Sequence, residues 1–148
     1  MQEDGTCHLI QEKLKRYVDI LNEIPEMQDK YLWLMEFGKK NEGLVDELRL
    51  PEFEVPGCQS QTWLVPGYHT DGKLYFSSDS AALISKGMVS LLADVFSGST
   101  GNDIISFDTK ALDDLKLDTL LTPGRRNGVY SMLKKIQGYG RREALSLV

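Results

Sequence analysis

The stretch from Ala81 to Phe96 sets the terms for the whole chain. Its apolar residues Ala82, Leu83, Ile84, Met88, Val89, Leu91, Leu92, Val95 and Phe96 go almost all the way round a helix. A helix that is apolar on every side has to be enclosed by other elements. The spacing predicts a start at Ala81, with Ser78-Asp79-Ser80 offering N-cap oxygens. Ser97-Gly98-Ser99-Thr100-Gly101 stops it. With 148 residues, 41% of them hydrophobic, one domain over 1–148 can bury about 70% of its unfolded surface. Such a core needs neither disulfides nor a structural metal.

The rest of the chain supplies the wrapping. From His8 to Asn22, Leu9, Leu14, Tyr17, Val18 and Leu21 recur near a helical period between charges. Pro25 interrupts, and a second helical run starts near Met27, passes Tyr31, Leu34, Met35 and Phe37, and is expected to end at Gly38 or Gly43. Leu44 to Pro56 has no clean period and reads as an irregular connection. Gln61–Val65 and Lys73–Ser77 flank Asp71-Gly72 and predict a β-hairpin, with Pro66 placing the first strand near an edge or bending it there. A third strand is expected around Phe53 to Val55. Short helices are expected over Asp103–Phe107 and Thr109–Leu115, and a terminal helix from Pro123 onward, carrying Val129, Met132, Leu133 and Ile136.

Charge and motif content exclude several functions. The 17 Lys and Arg against 22 Asp and Glu give a net charge of −5. The halves differ, with 13 acidic and 7 basic residues from Gln2 to Glu54 but 1 acidic and 6 basic from Leu121 to Val148. The pairs Arg125-Arg126, Lys134-Lys135 and Arg141-Arg142 read as a solvated basic helix face rather than a phosphate-binding surface, because the chain is acidic overall. No apolar run approaches the ~20 residues of a membrane span, so no membrane and no nucleic-acid partner is expected. The start Met1-Gln2-Glu3-Asp4 is unlike a secretory signal, so a reducing cytoplasm is expected, with Cys7 and Cys58 as free thiols. No P-loop, dinucleotide-binding glycine motif or serine-hydrolase elbow occurs, and two Cys and two His lack zinc spacing. Neither cofactor nor metal is expected.

The remaining candidate chemistry centres on Gly57-Cys58-Gln59-Ser60-Gln61. A cysteine in a loop beside glycine departs from the usual buried thiol. Gly57 permits backbone conformations closed to other residues, and Gln59, Ser60 and Gln61 bring donors that could stabilise a thiolate. No Lys or Arg lies between Arg49 and Lys73, so a cation lowering the Cys58 pKa would have to come from distant sequence. Asp79 has the chemistry of an N-cap. Arg125 stands at a helix start, where a cation gains nothing from the helix dipole, so its placement calls for another reason. His69 belongs to the hairpin turn; as a base for Cys58 it would complete a cysteine-dependent enzyme, the alternative reading.

Gly57-Cys58-Gln59-Ser60-Gln61-Thr62-Trp63 resembles the GCQSxxW signature of the SufE family, sulfur acceptors that work with cysteine desulfurases in iron–sulfur cluster assembly. Further blocks follow in order: Asp79-Ser80, Lys86-Gly87, Asp103-Ile104-Ile105-Ser106-Phe107-Asp108, and Leu121-Thr122-Pro123-Gly124-Arg125-Arg126-Asn127-Gly128. The resemblance runs from about Tyr31 to Met132. It implies an α+β fold of the SufE/NifU-like kind, a small antiparallel sheet of about three strands with helices packed on one side. It also implies that Cys58 takes sulfur from a persulfide on a PLP-dependent cysteine desulfurase and passes it to a downstream acceptor such as a cluster scaffold, without being an enzyme itself. Asp79 and Arg125 correspond to polar family positions beside the reactive loop. Many members carry a second acidic residue two positions after the first, where this chain has Ala81. Val55 and Trp63 are the nearest apolar candidates in sequence for shielding a persulfide. Cys7 and residues 1–20 match no family motif and are assigned no role.

Overall fold

The structure, a computed structural model, describes residues 5–146, with side chains from Leu9 onward. Helix α1 (Gly5–Glu23) and helix α2 (Met27–Lys39) are broken apart at Pro25 as expected. Strands β1 (Thr62–Tyr68) and β2 (Lys73–Ser80) form the antiparallel hairpin, and helix α3 (Leu83–Phe96) follows directly. Strand β3 (Ser99–Thr100) leads into helix α4 (Gly101–Ser106), a 3-10 segment (Thr109–Leu115), helix α5 (Leu117–Leu120) and the long helix α6 (Pro123–Leu145). The sheet order is β1-β2-β3, all antiparallel, which makes the architecture α+β.

The all-round apolar helix is enclosed as its composition requires. Met88, Val89, Leu91, Leu92, Val95 and Phe96 of α3 are essentially inaccessible, and α1, α2, α6 and the sheet surround them. In β2, inward-facing Leu74, Phe76 and Ser78 alternate with exposed Tyr75 and Ser77, so the helices lie on one side of the sheet. Helices α2 and α3 cross closely because Gly38 faces Gly87; a Cβ on Gly38 would meet the Gly87 nitrogen at 2.8 Å.

Three expectations are corrected. Ser78-Asp79-Ser80 does not cap α3: β2 continues through Ser80, in register with Thr62 and Trp63 of β1, and the helix begins at Leu83 with no side-chain cap. Tertiary pairing takes these polar residues first, since Ser80 Oγ lies 3.0 Å from Thr62 Oγ1 and Asp79 binds residues from elsewhere. The third strand is Ser99–Thr100 beside β2; Glu54 makes an isolated bridge to Trp63 along the free edge of β1. Gly38 does not end α2 but lies inside it, buried at the α3 crossing, while Gly43 (φ +84°) turns the chain beyond it. Helix α5 had no expectation attached to it. Pro66 does lie on an edge strand, as expected.

Candidate functional site

Cys58 lies on the short loop between the irregular segment after α2 and the start of β1. The segment makes two 3-10 turns, Asp46–Leu48 and Pro51–Phe53, before Val55 N–H pairs with the Thr62 carbonyl at 2.8 Å. Gly57 then adopts φ +81°, the left-handed conformation that reverses the chain and that other residues adopt only with strain. This turn lays the loop against α6. A Cβ on Gly57 would sit 3.3 Å from Ser131 Oγ, one on Gly128 would sit 3.2 Å from Cys58 Sγ, and one on Gly124 would meet the Gln59 side chain at 2.5 Å. Gly124, Gly128 and Ser131 are spaced four and three residues apart, so one face of α6 presents a furrow of small residues that receives Gln59, Cys58 and Gly57.

The thiol is half-buried in this furrow and donates weakly to the Gly128 carbonyl, Sγ to O 3.8 Å. Burial pushes its pKa above the ordinary 9.0; a hydrogen bond from Thr62 opposes this and the nearby Glu54 carboxylate adds to it. Thr62 has one hydroxyl proton, and its Oγ1 already lies 2.9 Å from the Ser60 carbonyl and 3.0 Å from Ser80 Oγ, so its help to a thiolate is shared three ways. At neutral pH the seated Cys58 is therefore a protonated thiol. Among the described residues no distant cation acts on it, and Cys58 receives no hydrogen bond from the side chains of Gln59, Ser60 or Gln61. Gln59 covers Gly124, while Ser60 and Gln61 use backbone carbonyls toward Thr62 and Ser80.

Asp79 is the best-held polar group near the loop. Its carboxylate accepts from Leu44 N at 3.0 Å, Arg49 Nε and Nη2 at 3.1 and 2.7 Å, and Ser80 N at 2.8 Å, with Lys86 Nζ 3.6 Å away. Burial alone would raise its pKa, but those donors together outweigh it and hold the carboxyl below its ordinary value. Asp79 and its register partner Trp63 share the sheet face turned away from the helices, and the Arg49 guanidinium lies over the Trp63 ring at 5.9 Å. Asp79 thus ties the segment leading to Cys58 onto the hairpin.

Arg125 turns to α3, where Nη1 donates to Ser85 Oγ at 2.8 Å. The start of α6 is set by Thr122, whose Oγ1 accepts from Arg125 N, followed by Pro123 at the first turn. Val55 and Trp63 are buried, and Val55 joins the main core. His69 is exposed at the hairpin turn, its ring 4.2 Å from that of Tyr75. The length of β1, ~3.3 Å per residue over its span, places His69 roughly 20 Å from Cys58. Cys7 falls in α1, and its side chain lies outside the described residues. Among the described residues no three His, Cys, Asp or Glu side chains group to hold a metal ion, and no helix is long and apolar enough to cross a membrane.

Sequence reasoning missed Arg49, Gly128 and Thr62. A signal existed for the glycine: Gly in a helix interior is unfavourable by roughly 0.5–1 kcal/mol against Ala. Two of them one turn apart in α6 therefore indicate something packed against the backbone.

The family model for SufE, described as an Fe-S metabolism associated domain, matches residues 15–140, a span holding Asp79, Arg125 and the whole Cys58 loop. The chain belongs to the SufE family. Family membership places it in iron–sulfur metabolism. In fold it is similar to the solution structure of a hypothetical protein from Thermus thermophilus, with a TM-score of 0.73 over 90% of this chain and 96% of that one. The two are 19% identical, so this likeness speaks for the fold alone.

Proposed function

We propose that this SufE-family chain is a sulfur acceptor and activator for a PLP-dependent cysteine desulfurase, with Cys58 as the residue that carries sulfur. The observation that supports it most is the Cys58 thiol itself, held only by a weak hydrogen bond to the Gly128 carbonyl and a shared one from Thr62, on a loop turned by Gly57. Such a group can leave its seat without stranding a buried charge. In transfer, the Cys58 thiolate attacks the terminal sulfur of the desulfurase persulfide, a new S–S bond forms on Cys58, and the old bond breaks to release the desulfurase thiolate. The proton lost by Cys58 balances the one that thiolate takes up, and no outside oxidant or reductant is consumed. Because burial keeps the thiol protonated, the loop leaves the furrow before reacting, and contact with the partner supplies the change of surroundings.

The loaded persulfide passes to a downstream acceptor such as a cluster scaffold, in a reducing cytoplasm. The chain performs no turnover of its own, and Gly57, Gln59 and Ser60 serve by shaping and seating the loop. Asp79 positions the segment before it. Arg125, oriented by Ser85, is a polar contact for the docked desulfurase. The reading of Cys58 as an enzyme nucleophile with His69 as base fails on distance.

Intact mass after incubation with a cysteine desulfurase and cysteine tests the reading. One added sulfur per chain is expected, removable by reductant, absent from Cys58→Ser and retained in Cys7→Ser. Equal loading of both single variants would overturn it.

A further inference from the structure

We infer that Arg49 is a positioning residue for Cys58, a latch whose hold on Asp79 keeps the reactive loop in its furrow. The inference rests on the reading of Cys58 as the reacting group. It concerns how that group is held, whether or not it carries sulfur.

Between Gly43 and Gly57 the chain has only two short 3-10 turns, so few ties hold it. Leu44 N is bound to Asp79 at one end. At the other, Glu54 bridges to Trp63 and Val55 N pairs with Thr62. Lys135 Nζ of α6 donates to the Glu52 carbonyl at 3.0 Å. Arg49 supplies the tie in the middle, nine residues before the thiol, forking onto one oxygen of Asp79 while its plane covers Trp63.

Three features make this tie releasable rather than simply structural. The Arg49 side chain is 36% exposed, whereas that of Asp79 is 5% exposed. Asp79 keeps Leu44 N, Ser80 N and Lys86 when Arg49 leaves, so departure strands no unpaired buried charge. Arg49 also has a second carboxylate waiting on the solvent side, since Nη1 lies 2.5 Å from the exposed Asp46. The guanidinium can therefore swing outward at modest cost, uncovering Trp63 and loosening residues 50–57 while the hairpin and its buried acid stay in place.

The test measures alkylation of Cys58 by iodoacetamide in the full chain carrying Cys7→Ser, at fixed pH, over urea concentrations below the unfolding transition. Arg49→Ala should raise the alkylation rate about tenfold, the scale of losing charge-assisted hydrogen bonds that favour the closed loop. The increase should be nearly independent of urea, because local opening exposes little surface. Arg49→Lys, which keeps the charge without the fork, should fall between Arg49→Ala and wild type. The apparent thiol pKa from the pH dependence should fall toward its ordinary value in both variants. Wild-type rates in both, or extra alkylation that climbs with urea along the global unfolding slope, would overturn the latch. If Arg49→Ala does not fold, the same two readouts on Arg49→Lys decide the matter. Sulfur loading does not enter this measurement, so a failed latch leaves the acceptor reading standing, and the intact-mass experiment judges that reading separately.

Discussion

Asp79 and Cys58 both lie by the start of β1, one opposite Trp63 and the other close to Thr62, yet the fold holds them in opposite ways. The carboxylate has five donors around it and its charged form is favoured; the thiol has one weak acceptor and its neutral form is favoured. Buried charge requires several partners and becomes an anchor, because leaving it without them is costly, although one of several can leave while the others hold it. A neutral, polarisable thiol tolerates a loose seat, which lets the adjacent loop move while the anchor does not. The molecule thereby places a rigid joint next to a releasable one.

The largest expected effect comes from breaking the anchor. Asp79→Ala leaves Leu44 N, Ser80 N and the neighbouring cations without their common acceptor and should cost about 2–3 kcal/mol. A thermal midpoint lower by roughly 5–10 °C is the corresponding readout for a chain of this size. A midpoint within a degree of wild type would show that the carboxylate anchors nothing.

Acid sharpens the same comparison. The folded pKa of Asp79 lies below the unfolded value, so its charge contributes stability fully above the unfolded pKa near ~3.9 and loses that contribution as pH falls through the folded pKa. Urea midpoints measured downward from pH 5 should fall less steeply in Asp79→Asn than in wild type. Parallel acid limbs would remove Asp79 from the account.

Gly128→Ala attacks the seat and spares the anchor. Its Cβ would stand 3.2 Å from Cys58 Sγ, tighter than ordinary contact, while alanine gains helix propensity over glycine by up to ~1 kcal/mol. Cys58 alkylation should rise severalfold with no loss in thermal midpoint. A slower rate would mean that the furrow absorbs the methyl group and closes more firmly.

Cys58→Ser should have the smallest effect on stability, a change of under ~1 kcal/mol, since the thiol donates one weak hydrogen bond, shares the Thr62 hydroxyl with two other groups and is only half-buried. Differential scanning calorimetry checks it. A loss as large as that of Asp79→Ala would erase the contrast between anchor and seat.

Much of this could be read along the chain. The period of α1 and α2, the break at Pro25, the hairpin around Asp71-Gly72 and the start of α6 at Pro123 all follow from local patterns, and the structure reproduces them. Ser78-Asp79-Ser80 shows where local reading stops. The same three residues have the chemistry to cap a helix and the extended geometry to prolong a strand, and local chemistry favours the cap. The strand wins because Thr62 pairs with Ser80, and because Arg49 and Lys86 claim Asp79 from 30 residues upstream and from the next helix.

The sequence alone determined the elements that local periodicity writes, and the Gly57-to-Trp63 motif on which the proposed role of Cys58 rests. The tertiary structure decided how that thiol is held: protonated, against Gly128, which is 70 residues away along the chain, and behind a segment tied by Arg49 to Asp79. The division has a physical cause. Hydrophobic period and turn chemistry act between near neighbours and are present in any short stretch, whereas desolvation, charge pairing and close backbone approach exist only once distant segments are packed together.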